Sequence, residues 1–264
     1  LTLLLGPLIL TWQTALSALG RHGEAVAALT LAIAARPRSG HMRYNLAVSL
    51  ADAGRKAEAE EQYREAVRYG PQSTTAAAYN NLGSAIVREI TPRALEQRWR
   101  HASMDGRTRA PTPALGADLL VDAGARGEAR VAFRGAIEAS PTHAMGHNNL
   151  ANLLRESGED ASLRAAGRLY ARAVQLSPRY LEAYKNVANL LKERAAWHPA
   201  AVRAYRVALS LAPLGPGKVP AELLLNLGDV LQWTGLDAAA NASFGLGVAR
   251  GVWQHPMQRP SHLV

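Results

Sequence analysis

The sequence predicts an all-α protein built as an array of stacked helical hairpins. Two observations carry that prediction. The first is a spacing near 34 residues that recurs along the 264-residue chain. It is marked by Gly-Arg-x-x-Glu-Ala turns and by helices that close on Ala-x-x-x-x-Pro at Pro37, Pro71, Pro141, Pro178 and Pro213. The second is composition: 48% of residues are hydrophobic, mostly Ala and Leu, and only 6% are aromatic. Such residues favour helices and let them approach closely. A period of this length signals units that cannot bury an apolar face alone, so they stack.

Setting the closing prolines in register divides the chain into about seven units. They lie near residues 6–39, 40–73, 76–109, 110–143, 144–180, 181–215 and 221–254, after a hydrophobic lead at 1–10 and before a tail at 255–264. The first keeps Gly20, Glu24, Ala25 and Pro37 but has Trp12 in the Leu slot. The second is the clearest: Leu46-Ala47, the turn at Gly54, then Ala59, Tyr63, Ala66 and Pro71. The third opens on AAAYNNLG with Leu82-Gly83, and its second half, with Thr91-Pro92, Trp99 and Ala102, is degenerate.

In the fourth, Pro111 and Pro113 delay the first helix, because proline removes a backbone donor. The pattern recovers at Gly124, Glu128, Ala129, Phe133, Ala136 and Pro141. The junction of third and fourth units, around Met104–Pro113, is therefore the expected weak point. The fifth has Leu150-Ala151, Gly158, Ala166, Tyr170, Ala173 and Pro178, with three extra residues near Asp160–Leu163. The sixth has Val187-Ala188, Ala201, Tyr205, Ala208 and Pro213, and the seventh Leu227-Gly228, Gly235, Ala240 and Phe244.

Packing explains these choices. Ala47, Gly83, Ala151, Ala188 and Gly228 let the two helices of a hairpin approach, and Tyr63, Phe133, Tyr170, Tyr205 and Phe244 fill the volume between hairpins. Each proline stops a helix just past its C-terminus. Helices of about a dozen residues are marginal alone in water, so stacking supplies their stability.

With those residues in place, residues 6–254 resemble the tetratricopeptide repeat (TPR) superfamily. The resemblance implies a right-handed superhelical solenoid whose first helices line a concave groove for a protein or extended peptide, without catalysis. A narrower stretch, Arg43–Arg68 after the apolar lead and Trp12, is similar to the TPR arrays of transmembrane O-mannosyltransferases, as are NNLANLLRE and KNVANLLKER. That likeness implies the acceptor-recruiting half of a membrane glycosyltransferase, and it carries over no catalytic residue. Lys185, Asn189 and Asn226 resemble part of the carboxylate clamp of chaperone-binding TPR domains, whose third-repeat basic pair is missing here.

The formal charge is +9. Apart from Arg93, Arg98, Arg100, Arg107 and Arg109, the arginines are scattered among acidic residues without one basic stripe, which counts against a nucleic-acid partner; an acidic protein or an anionic membrane fits the charge equally well. The lead LTLLLGPLIL is too short to span a bilayer, which needs about 20 apolar residues. It reads either as a buried lead-in or as the end of a transmembrane helix with Trp12 at the interface. The compartment stays open accordingly: cytoplasmic, or lumenal and tethered. There is no cysteine, which leaves no disulfide or thiol chemistry. His143 and His147 are four apart but lack the further ligands a closed zinc site needs. GLGVARG and GPGK miss the spacing of nucleotide loops, so no catalytic residue, metal or cofactor is expected.

The asparagines are the candidate site. Asn45, Asn81, Asn149, Asn186 and Asn226 each precede the Leu slot, in five of the seven units. An amide donates and accepts at once, so such a ladder can hold peptide backbone. It can equally brace neighbouring repeats. Asn152, Lys185 and Asn189 complete the set of expected binding residues.

Overall fold

The computed structural model describes residues 15–90, 113–212 and 220–249. The lead segment, Trp12, Trp99, Met104 and the tail lie outside them. The chain divides into two compact units, Leu1–Leu153 and Leu154–Val264. Every regular element among the described residues is helical. Unit 1 holds α1 (His22–Ala35), α2 (Gly40–Asp52), α3 (Lys56–Tyr69), α4 (Gln72–Ile90), α5 (Pro113–Ala139) and most of α6 (Ala144–Arg155). Unit 2 holds α7 (Asp160–Leu176), α8 (Leu181–Lys192), a 3-10 turn at Ala195–Trp197, α9 (His198–Leu211), α10 (Ala221–Trp233) and α11 (Asp237–Ala249). No helix among the described residues is long and apolar enough to cross a membrane.

The recurring turn has a physical basis. Gly20, Gly54, Gly158 and Gly235 sit at φ near +70 to +78°, a left-handed conformation that glycine adopts without penalty. In the first two turns the next residue is arginine, which forks onto a glutamate three positions on. Arg55 Nε and Nη2 donate to Glu58 at 2.7 and 2.6 Å, and Arg21 holds Glu24 in the same way. The pairing keeps both glutamates below the usual carboxylate range. Pro37, Pro71, Pro141 and Pro178 each lie two residues beyond the end of a helix.

The core follows the predicted pattern. Ala25, Ala59, Ala129, Ala166, Ala201 and Ala240 are buried where helices cross, and Tyr63, Phe133, Tyr170 and Tyr205 fill the spaces between. Fully buried leucines such as Leu29 and Leu223 each contribute roughly 1.5–3 kcal/mol. The closest backbone approach is at Gly40, where a Cβ would fall 2.3 Å from Gly70 Cα. Any side chain there would push α2 from the end of α3.

One expectation is corrected. The sequence pattern places a turn at Gly124 in the fourth unit, near 110–143, yet α5 runs unbroken from Pro113 to Ala139. It pairs directly with α4, and a Cβ on Gly83 would meet the Phe133 ring at 2.7 Å. In the second repeat Tyr63 follows Ala47 by 16 positions, whereas Phe133 follows Gly83 by 50. The excess equals one 34-residue repeat length. The third unit's first helix therefore finds its partner in the fourth unit's second helix. The physical reason is register: Gly83 and Phe133 remain complementary, while Gly124, with nothing packed against it, has no contact that favours a turn over helix.

Candidate functional site

In unit 1 the asparagines bond to one another. Asn148 Nδ2 donates to Asn149 Oδ1 at 3.2 Å, and Asn149 Nδ2 to Asn80 Oδ1 at 3.0 Å. Asn80 Nδ2 donates to Asn81 Oδ1 at 3.5 Å, and Asn81 Nδ2 to the hydroxyls of Tyr44 and Tyr63 at 3.3 and 3.4 Å. The relay starts on α6, passes through α4 and ends on α2 and α3. Asn80 and Asn148 are 4% and 3% exposed, and a buried amide left without its partner costs about 1–3 kcal/mol. Burial pushes the Tyr63 hydroxyl up to about 12, so it stays protonated at the end of the chain. Ser84, one turn beyond Asn80, adds a second acceptor for Asn149 at 3.4 Å.

Unit 2 uses its asparagines differently, Asn226 in the ladder slot of α10 and Asn189 three residues past that slot on α8. Asn189 Oδ1 accepts from the Tyr205 hydroxyl at 2.6 Å and from Asn226 Nδ2 at 3.4 Å. Its own Nδ2 has no partner among the described residues. Asn226 Oδ1 accepts from Lys192 Nζ at 2.7 Å, and Lys192 also pairs with Asp229 at 2.9 Å. These side chains border a cavity of about 610 Å³ lined by Arg155, Asn189, Lys192, Glu193, His198, Asn226 and Trp233. Trp233 is 53% exposed. The His198 ring stacks on it at 5.2 Å, and Lys192 Nζ lies 5.5 Å from its centre.

Local elements fix this wall. The 3-10 turn brings His198 back so that its Nε2–H donates to the Lys192 carbonyl at 3.2 Å. Arg155 pairs with Glu193 at 3.3 Å. Lys192 with Asp229 and Arg155 with Glu193 thus offset each other's charge. The cavity offers amide donors and one aromatic face, with little net charge. Nothing in that set is a nucleophile with a base beside it.

The remaining sequence candidates are placed as follows. Asn45 is half-buried on α2 with no side-chain hydrogen bond among the described residues. Asn186 is 8% exposed on α8, and Asn152 is half-buried on α6; both have partners. Lys185 pairs with Glu182 at 2.6 Å and reaches Glu222 at 4.0 Å. Asn189 and Asn226 are the two candidates that meet at a cavity. Sequence reasoning missed Lys192, His198 and Trp233. The first lies three residues after Asn189 on the same helix, so helical spacing alone could have found it. His198 and Trp233 become neighbours only through the fold. His147, of the spaced histidine pair, donates its Nε2–H to the Pro141 carbonyl at 3.0 Å.

Residues 11–74 match the family model described as tetratricopeptide repeat. No curated protein matches the chain. Solved structures match over most of its length. PilF of Pseudomonas aeruginosa is 17% identical with a TM-score of 0.65, over 92% of this chain and 90% of that one. A thermophilic TPR protein from Thermus thermophilus is 19% identical with a TM-score of 0.57, over 85% and 97%. YrrB, described as a TPR protein with an unusual peptide-binding site, is 17% identical with a TM-score of 0.54, over 86% and 94%. At these identities the likeness is one of fold. The class is therefore an all-α helical-repeat protein; residues 11–74 match the tetratricopeptide repeat by sequence, and the described chain shares the fold of solved TPR proteins. The glycosyltransferase likeness of Arg43–Arg68 stays an expectation from the sequence.

Proposed function

We propose that this chain is a non-catalytic interaction scaffold that holds an extended peptide segment along its first helices, with Asn189 and Asn226 taking peptide backbone in unit 2. One observation carries the reading: Asn189 has its oxygen anchored by Tyr205 and Asn226, while its N–H2 group is unmatched among the described residues beside a 610 Å³ cavity. An oriented donor next to open volume suits a backbone carbonyl. The near-neutral lining disfavours a strongly charged ligand there, and half-exposed Trp233 offers an apolar face to a side chain. YrrB, of the same fold, is described as having a peptide-binding site, which supports the class of ligand. Asn81 and Asn149 serve the stack in this reading, and Lys185 flanks the site.

The test uses the full chain. Peptides are selected on it from a random display library, and their affinity is measured by fluorescence anisotropy. Asn189→Ala/Asn226→Ala is expected to weaken selected peptides by about tenfold or more, since each hydrogen bond contributes about 0.5–1.5 kcal/mol net. Its melting temperature should stay near the parent's. Peptides that bind the double variant unchanged would overturn the proposal.

A further inference from the structure

The second helices of unit 2 carry a feature that peptide binding along the first helices does not use. On α7, Arg164, Arg168 and Arg172 recur every fourth residue, and α9 carries Arg203 and Arg206; all five are exposed. After Asp160, which pairs with Arg194, neither helix has an acidic residue. None of the five arginines has an ion pair among the described residues. The acidic side chains of the intervening first helices, Glu182, Glu222 and Asp229, lie instead with Lys185 and Lys192. Charge in unit 2 is thus sorted by helix, basic on α7 and α9 and balanced on α8 and α10.

The register places these arginines on a common face. Ala166, Tyr170 and Ala173 of α7 and Ala201, Tyr205 and Ala208 of α9 are all 0% exposed, and they occupy the same positions of their repeats. Arg168 and Arg203 both follow the first of these alanines by two. Arg172 and Arg206 follow it by six and five, one turn further on. Both helices pack against α8.

This arrangement is unfavourable in the free protein. Like charges four apart on a helix repel each other. On α3 the same problem is solved internally, where Arg64 pairs with Glu60 and Arg68 with Glu65. No such relief exists on α7 or α9 among the described residues. Repulsion at five positions is relieved when an anion docks.

We infer that the exposed face of α7 and α9 is a docking surface for an acidic protein segment, with carboxylates of the partner bridging arginines a helical turn apart. Charge complementarity selects an anion, and the planar guanidinium fork matches a carboxylate with two parallel hydrogen bonds. The aromatics of these helices, Tyr170 and Tyr205, are wholly buried. The face therefore lacks the stacking platform that single-stranded nucleic acid uses, and the aromatic anchors that seat a helix at a membrane interface.

The experiment measures binding of the full chain, at low salt, to a labelled alanine-based helical peptide with Glu at every fourth position. A Gln-substituted copy, a short DNA duplex and phosphatidylserine-containing vesicles serve as rival probes. The Glu peptide is expected to bind, the Gln copy not, and Arg168→Glu/Arg203→Glu to weaken binding by at least about tenfold. The same variant should melt no lower than the parent, because it removes repulsion, and should still bind groove peptides. Tighter binding to the duplex or the vesicles than to the Glu peptide would overturn the inference, as would unchanged or absent Glu-peptide binding. Asn189→Ala/Asn226→Ala leaves this binding intact, so failure of the groove proposal and failure of this one are read separately.

Discussion

The two compact units both carry asparagines along their first helices and obtain different things from them. In unit 1 the amides of Asn148, Asn149, Asn80 and Asn81 close on one another and end on two tyrosine hydroxyls. In unit 2 the amides of Asn189 and Asn226 meet beside a cavity, with donor capacity left over. Asn81, Asn149 and Asn226 share one slot, Asn189 lies three residues past it on α8, and the neighbours decide. Unit 1 places a second asparagine next to each of these ladder positions, Asn80 beside Asn81 and Asn148 beside Asn149. In unit 2 the ladder positions Asn186 and Asn226 have Lys185 and Leu225 there instead. An amide surrounded by amides braces a stack, and an amide beside space is available to a ligand.

The largest expected difference between the units is in stability. Asn80→Ala and Asn149→Ala should each destabilise unit 1 by about 1–3 kcal/mol, because each leaves a buried partner unsatisfied. Their double variant should cost less than the sum, since both cut one chain. Asn189→Ala should cost under about 1 kcal/mol, the scale of one hydrogen bond exchanged for water. Urea denaturation of the three variants reads this directly, and equal losses in all of them would break the comparison.

High pH should separate the units next. Burial pushes Tyr170 up to about 12 and raises Tyr180 and Tyr205, all in unit 2, whereas unit 1 has Tyr63, also near 12, and the non-ionising Phe133 at the other filling position. An unfolded tyrosine titrates near 10. Each raised hydroxyl therefore contributes stability that is fully present below about pH 10 and is lost as pH rises toward the folded value. The alkaline loss should shrink more in Tyr170→Phe/Tyr205→Phe than in Tyr63→Phe. Urea midpoints compared below and above about pH 10 would show it.

Acid should act on the other unit, more weakly. His143, at the turn into α6, is held neutral below its ordinary value by burial and then by nearby His147. A base depressed in the folded state is protonated more readily when unfolded. Its contribution is thus present above about pH 6.5 and lost as pH falls through that value. Hydrogen exchange around the α5–α6 turn should quicken on acidification, and His143→Gln should blunt the change. The smallest effect concerns the long connection. Deleting residues 90–123 joins Glu89 to Gly124 and gives Gly83 and Phe133 the spacing seen between Ala47 and Tyr63. Shortening the connection alone should change stability by about 1 kcal/mol or less; the deletion also removes residues 113–123 of α5, so any larger loss reads the contribution of that helical stretch. A collapsed melting transition in that variant would show that the intervening residues hold the unit together.

Most of the architecture was legible because it is local and repeated. The left-handed glycines, the arginine-to-glutamate forks, the closing prolines and the buried Ala and Tyr positions are set by contacts within one hairpin, and each recurs. Where a signal had to compete with a distant partner, reading failed. Gly124 carries the turn motif of Gly54, yet it lies inside α5. The choice between turn and helix was made by Phe133 finding Gly83, 50 residues earlier.

The sequence by itself determined the repeat, its period and the residues that face inward, because helix propensity, turn conformation and side-chain volume act over a few residues. It also presented asparagine at a fixed slot, with two uses open. Tertiary structure decided between those uses, position by position. A hydrogen bond needs a partner within about 3 Å, and the partners of Asn81, Asn149 and Asn226 on other helices lie 18 to 69 residues away in the chain. The cavity wall of Lys192, His198 and Trp233 is of the same kind: three ordinary surface residue types until one turn and two helices bring them together.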